Sequence, residues 1–294
     1  MIISASRRTD IPAFYSKWFI HRIRQAYCSV PNPYNREQKK RVSLLASDVD
    51  VIVFWTRNPR SLLPYLDELD ALGYRYYFQY TLLGYPPELD GRNPSLTTSL
   101  DTFRALAERI SPQRVIWRYD PIVFSNRTDV DYHLAAYSRI AQTLDGYTQR
   151  SVISILDIYH KARKRLAQLK QKGFEMITDG DVLEEKIAAL VPQLVQIASQ
   201  HGMEVVSCAE EVDLRPYGVL PGKCVDDVYI QRVFAMDVPH TKDPSQREAC
   251  GCVVSRDIGM YDTCMYRCAY CYATNFTRAE QNHIQYDPLA DALG

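Results

Sequence analysis

Six short runs rich in β-branched and aromatic residues recur along the chain, at positions 2–6, 49–56, 74–81, 114–119, 150–156 and 203–208, with helix-patterned stretches between them. Strands that alternate with helices imply a parallel sheet, so the chain is expected to adopt an α/β fold. The helices are expected at 14–26, 60–72, 100–110 and 130–144, and over a long basic stretch from 160 to 195 that breaks near Gly173 or Gly180. Six such units suit a partial (β/α)6 barrel, TIM-barrel-like, over residues 1–207. No glycine-rich phosphate loop follows any of the runs, which argues against a dinucleotide-binding or P-loop sheet.

Polar residues stand at the ends of the runs instead. They read Arg7-Arg8-Thr9-Asp10, Thr56-Arg57-Asn58-Pro59, Gln79-Tyr80-Thr81, Arg118-Tyr119-Asp120-Pro121, Asp157-Ile158-Tyr159-His160 and Ser207-Cys208-Ala209-Glu210. In a barrel of parallel strands the C-terminal strand ends face one cavity, so these clusters are expected to meet there. Arg7, Arg8 and Arg118 supply guanidinium groups suited to a carboxylate or phosphate, and Asp10, Arg118 and Asp120 are the catalytic candidates. The alternative is an Arg–Asp network that only braces the rim.

The rhythm stops at Cys208, and a Pro- and Gly-punctuated, cysteine-rich stretch runs to about Ala273. Residues 208–294 are therefore expected as a metal-binding extension packed on the barrel, closing in a polar tail from Asn282 to Gly294 that carries no signal. Eight cysteines in 294 residues are too few for a disulfide scaffold, and clustered thiols in a reducing compartment bind metal or do redox chemistry. No run offers the roughly 20 apolar residues of a membrane helix, so a cytoplasmic protein without membrane contact is expected. Lys and Arg number 35, as do Asp and Glu, which leaves no overall field to recruit nucleic acid. Basic stretches at 36–41, with Lys39 and Lys40, and at 160–172 could still track a phosphate backbone, and some of the 21 tyrosines could stack on bases.

Cys264, Cys268 and Cys271 have CxxxCxxC spacing, with Tyr270 directly before the last cysteine. Three thiolates on one tight loop can ligate three irons of a 4Fe–4S cube and leave the fourth open. Zinc knuckles prefer paired cysteines of two-residue spacing, which fits this loop less well. Cys208, Cys224, Cys250 and Cys252 could close a second site, either another 4Fe–4S cluster or zinc, although Cys208 on the last strand also suits a small buried hydrophobe. Cys28 stands apart from both groups.

The CxxxCxxC loop with its aromatic residue resembles the signature of the radical S-adenosylmethionine superfamily, whose core is a partial six-unit β/α barrel. The whole chain further resembles an uncharacterised bacterial family of unknown function, through Ser6-Arg7-Arg8-Thr9-Asp10-Ile11-Pro12, Phe54-Trp55-Thr56-Arg57-Asn58-Pro59 and the stretch 250–273. The superfamily motif normally follows the first strand, whereas here it follows the sixth, so a C-terminal loop is expected to carry the cluster back above the barrel. No Gly-Gly-Glu motif follows the second strand to hold the S-adenosylmethionine amino group, and Thr56 and Asn58 are taken as its substitutes. Asp257 and Tyr261 are expected to orient the loop.

The resemblance implies reductive cleavage of S-adenosylmethionine to methionine and a 5′-deoxyadenosyl radical, with an electron donor such as a flavodoxin or ferredoxin. Arg118-Tyr119-Asp120-Pro121 also resembles a strand end of radical enzymes that repair thymine dimers, which keeps a nucleic-acid substrate in view. Two other readings stand beside this one. One is an iron–sulfur protein that transfers electrons or senses redox state, and the other is a zinc-stapled barrel that binds nucleic acid.

Overall fold

The computed structural model describes residues 1–35 and 37–293. All six runs form strands: β1 (Ile2–Ala5), β2 (Val51–Thr56), β3 (Tyr76–Thr81), β4 (Val115–Ile122), β5 (Arg150–Ile155) and β6 (Glu204–Cys208). Two short strands join them, β7 (Leu220–Gly222) and β8 (Arg256–Asp257). The eight make one parallel sheet in the order β7-β6-β5-β4-β3-β2-β1-β8, so the six units lie side by side in chain order. Among the described residues no pairing joins β7 to β8, and the sheet is open.

The principal helices are α1 (Ser16–Arg24), α2 (Leu66–Ala71), α3 (Leu96–Ile110), α4 (Val130–Thr143), α5 (His160–Gln171), α6 (Gly180–Gln200), α7 (Asp227–Phe234) and α8 (Phe276–Ile284). The expected helix at 60–72 is broken: prolines at 59 and 64 leave two single 3-10 turns before α2. The long basic stretch divides as the glycines indicated. α5 stops before Gly173, which takes a φ of 79° that a side chain would disfavour, and α6 begins at Gly180. Between them Met176–Ile177 pairs antiparallel with Phe124–Ser125.

Both faces of the sheet are buried, as a parallel sheet requires. Alternate residues Ile3, Ile52, Phe54, Phe78, Trp117 and Ile153 pack with residues of α1 to α6 in the main core. The other face, Ile2, Val51, Val53, Tyr77, Ile116, Val152 and Val206, packs with Val225, Tyr229, Ile230, Val238 and Val253. Hence α7 and its flanks fill the face that the crossover helices leave free. Burying a side chain such as the fully enclosed Ile230 contributes about 1.5–3 kcal/mol. The residues after 208 thus supply both edge strands and the filling of one face, which is more than the extension expected from their composition.

Two elements escaped the pattern. Tyr27–Pro31 and Lys39–Ser43 form an antiparallel hairpin, hidden because Lys39, Lys40 and Arg41 are exposed and only Val42 turns inward. Arg36, part of the basic stretch, lies outside the described residues, as does Gly294. The polar tail is docked: Trp18 Nε1 donates to Ala290 O (3.0 Å), Ser29 N to Asp291 O (2.8 Å) and Arg22 Nη2 to Leu289 O (3.2 Å), and Leu293 is buried. These three anchors are backbone carbonyls, which leave no trace in side-chain polarity. No helix among the described residues is long and apolar enough to cross a membrane.

Candidate functional site

The loop Cys264–Cys271 lies over the C-terminal ends of β1 and β2 and against the segment that follows β3. Four hydrogen bonds strap it there. Tyr15 Oη donates to Thr263 O (2.6 Å), Ala269 N to Leu89 O (2.9 Å), Arg92 N to Tyr266 O (2.6 Å) and Arg57 Nη1 to Tyr270 Oη (2.6 Å). Gly91 explains the close approach: a Cβ there would stand 2.4 Å from the carbonyl oxygens of Tyr266 and Arg267, and its φ is 63°. Behind the loop Arg165 donates Nε to Ala269 O (2.9 Å), Nη1 to Thr274 O (3.1 Å) and Nη2 to Cys271 O.

Cys268 receives two donors at its sulfur, Arg57 Nη1 and Asn93 Nδ2, each at 3.3 Å. Arg57 also pairs with Asp90 (2.8 Å), which accepts from Tyr270 Oη (2.8 Å). A cavity of about 160 Å³ opens beside this group, lined by Arg57, Asp90 and Asn93 together with Leu82, Tyr85 and Ser99. Burial pushes the Cys264 thiol up, and the neighbouring sulfurs of Cys271 and Cys268 add to the shift. Burial raises Cys268 as well, against the pull of Arg57.

Asp10 is buried at the floor of the loop. It accepts from Thr56 Oγ1 (2.8 Å), Arg57 N (2.7 Å) and Ala13 N (2.9 Å), yet burial outweighs these donors and raises its pKa to about 7. Thr56 accepts from Asn58 N (3.0 Å), while Asn58 Oδ1 accepts from Arg60 N (3.2 Å) at the head of the next turn. Both side chains are engaged in shaping that strand end. Asp257 on β8 accepts from Ser4 Oγ (2.7 Å), Ser6 Oγ (2.6 Å), Arg7 N (2.9 Å) and Gly259 N (2.9 Å), so it joins the two strands and shapes the turn after β1 rather than bonding the cysteine loop. The Tyr261 ring lies 5.1 Å from both the Arg8 guanidinium and Lys161 Nζ.

Cys208 on β6 and Cys224 bring their sulfurs to 3.3 Å. Arg118, almost fully buried, donates Nη1 to Cys224 Sγ (2.9 Å) and to Gln79 Oε1 (3.2 Å), and its Nε donates to Asp120 Oδ2 (3.0 Å). The hydrogen bond with Cys224, opposed by burial and aided by Arg118, lowers the Cys208 thiol to about 7. Cys252 Sγ accepts from the amides of Cys224 (3.3 Å) and Val225 (3.4 Å). Cys28 is wholly buried in the main core, where burial raises its thiol to about 12.

Residues 2–273 match a family described as a domain of unknown function, DUF1848. The chain belongs to the DUF1848 family. No curated protein matches it.

In this DUF1848 chain the structure therefore gathers Asp10, Thr56, Cys264, Cys268 and Cys271 at one place, and Arg118, Asp120, Cys208, Cys224 and Cys252 at another. Among the described residues no three Cys, His, Asp or Glu side chains already surround a point that would hold an ion. The donor set nevertheless fits a three-thiolate cluster in kind and number, and Asn93 Oδ1, beside Cys268, is buried without a partner.

Sequence reasoning passed over Asp90, Asn93 and Arg165 as site residues. Asp90 ends a single helical turn, Pro87–Asp90, and Asn93 follows it in a loop, so neither stands at a strand end, and Arg165 lies within the basic stretch 160–172. Of that stretch Arg163, Lys164 and Lys170 are exposed, but Lys161 Nζ pairs with Asp262 (2.7 Å) and donates to Ala273 O (3.1 Å). Arg57 lay within a quoted strand end and was within reach of the sequence.

Proposed function

We propose that the chain is an iron–sulfur enzyme of the radical S-adenosylmethionine type, built on a partial β/α barrel with a cysteine-rich portion from residue 208. Cys264, Cys268 and Cys271 would hold a 4Fe–4S cluster and leave one iron open. The observation that carries this reading is the three-thiol loop strapped over the ends of β1 and β2, with a cavity beside Cys268 to which Arg57, Asp90 and Asn93 contribute. The chain order of the six strands, with their crossover helices packed on one face, favours a curled sheet of the barrel type.

When bound, the cluster supplies the electron that cleaves S-adenosylmethionine. The chain's own residues do the rest. Arg57 and Asn93 orient Cys268, Arg165 fixes the loop carbonyls, and Arg57, Asp90 and Asn93 offer the cavity a cation, an anion and an amide suited to an amino-acid group. Buried Tyr85 and Tyr270 stand edge to face at 6.1 Å and exclude water from that side. A small flavodoxin or ferredoxin would deliver the electron in the cytoplasm. Lys161 and Arg165 are already committed to the cysteine loop, which reduces the basic surface left for nucleic acid and makes it the second substrate class.

The test is anaerobic reconstitution with iron and sulfide, followed by assay of 5′-deoxyadenosine after adding dithionite and S-adenosylmethionine. The expected result is product that vanishes in Cys268→Ala and an iron content unchanged in Cys28→Ala. A bound cluster without cleavage would replace this reading by electron transfer or redox sensing, and loss of iron in Cys28→Ala would overturn the division of the cysteines.

A further inference from the structure

Four of the five thiols outside the Cys264 loop converge on the face of the sheet that α7 fills. Cys208 and Cys224 are 3.3 Å apart, Cys252 Sγ accepts from the amide of Cys224 (3.3 Å), and Cys250, two residues before Cys252, is buried in the same cluster. We propose that Cys208, Cys224, Cys250 and Cys252 bind a single tetrahedral zinc ion that pins residues 209–253 to the sheet, independently of any cluster on the other loop.

The spacing separates zinc from a second cube. Zinc–sulfur bonds of about 2.3 Å set the tetrahedral sulfur–sulfur edge at about 3.8 Å, close to the Cys208–Cys224 separation. The cysteines of a 4Fe–4S cube each bind a different iron and stand much further apart. In the structure no three described donors yet surround a point that would hold an ion, so binding requires the four thiols to draw together.

Charge points the same way. Cys252 accepts two amide N–H groups and Cys224 accepts the Arg118 guanidinium, donors that favour thiolate over thiol. Four thiolates around a divalent ion leave two negative charges. Arg118 is one buried cation facing them. Arg7, half-buried but with its Nη2 enclosed and without a hydrogen-bond partner, adds a second positive charge near Cys252. Cys208 and Cys224 are free thiols in the structure, not a disulfide. A staple also suits the segment, whose regular structure amounts to β7, α7 and a single 3-10 turn.

The experiment uses the full chain carrying Cys264→Ala, Cys268→Ala and Cys271→Ala together, so that failure of the iron reading cannot affect it. Metal analysis should find one zinc per chain, and titration of the metal-free protein with cobalt(II) should saturate at one equivalent with the intense thiolate-to-cobalt absorption of a four-sulfur tetrahedral site. Adding Cys224→Ser should abolish both. Should that variant fail to fold, the cobalt spectrum of the parent decides alone. About four irons bound with sulfide, a cobalt spectrum without tetrahedral sulfur character, or a Cys208–Cys224 disulfide in thiol-blocked protein would each overturn the proposal.

Discussion

Replacing Arg57 by Met should destabilise the metal-free chain by about 3–5 kcal/mol, because it leaves the buried Asp90 carboxylate without its cation. The geometry sets this scale. The Arg57–Asp90 pair is 2.8 Å long with side chains only 13% exposed, and after the substitution Asp90 retains the Tyr270 hydroxyl as its remaining side-chain donor. Cys268 loses one of its two donors at the same time. The assay is urea unfolding of wild type, Arg57→Met, Asp90→Asn and the double variant at pH 7. Removing the charge on both sides should cost less than the sum of the single changes by about 2–3 kcal/mol, the upper range for residues in direct contact. Additive costs within about 0.5 kcal/mol would refute the claim that this pair ties the segment after β3 to the end of β2.

Gly91→Ala should displace the loop, since its Cβ would meet two backbone oxygens at 2.4 Å and its φ is positive; a fall of more than about 3 kcal/mol in stability, with reduced iron uptake, is expected in thermal melts and reconstitution. Arg165→Lys keeps the charge but cannot reach three carbonyls, so it should cost about 1–3 kcal/mol and speed iron release to a chelator, and an unchanged release rate would remove Arg165 from the loop's support. His133 is fully buried between Tyr119 Oη (2.9 Å) and Val123 O (3.1 Å), and burial lowers its pKa to about 4. Its depressed value means that the stability is present above pH 6.5 and is lost as pH falls towards 4, by at most about 3 kcal/mol; the advantage of wild type over His133→Gln should therefore shrink on acidification, and an advantage that grows would contradict the assignment.

The alternation of strand and helix was legible because it is local. The central strands of this sheet bury both faces, so runs such as 51–56 and 76–81 betray themselves by composition alone, and the grouping of seven thiols after residue 207 needs only counting. What meets what was decided by the tertiary structure. Arg57 and Asn93 reach Cys268, and Asp90 reaches Tyr270, across separations of 175 residues or more, set by the order of crossovers and invisible to any window of sequence. Segment 209–253 fills the free face of the sheet because six crossover helices occupy the other, and the tail docks through its carbonyls. Local periodicity encodes which faces are apolar; only the packed chain determines which polar groups those faces bring together.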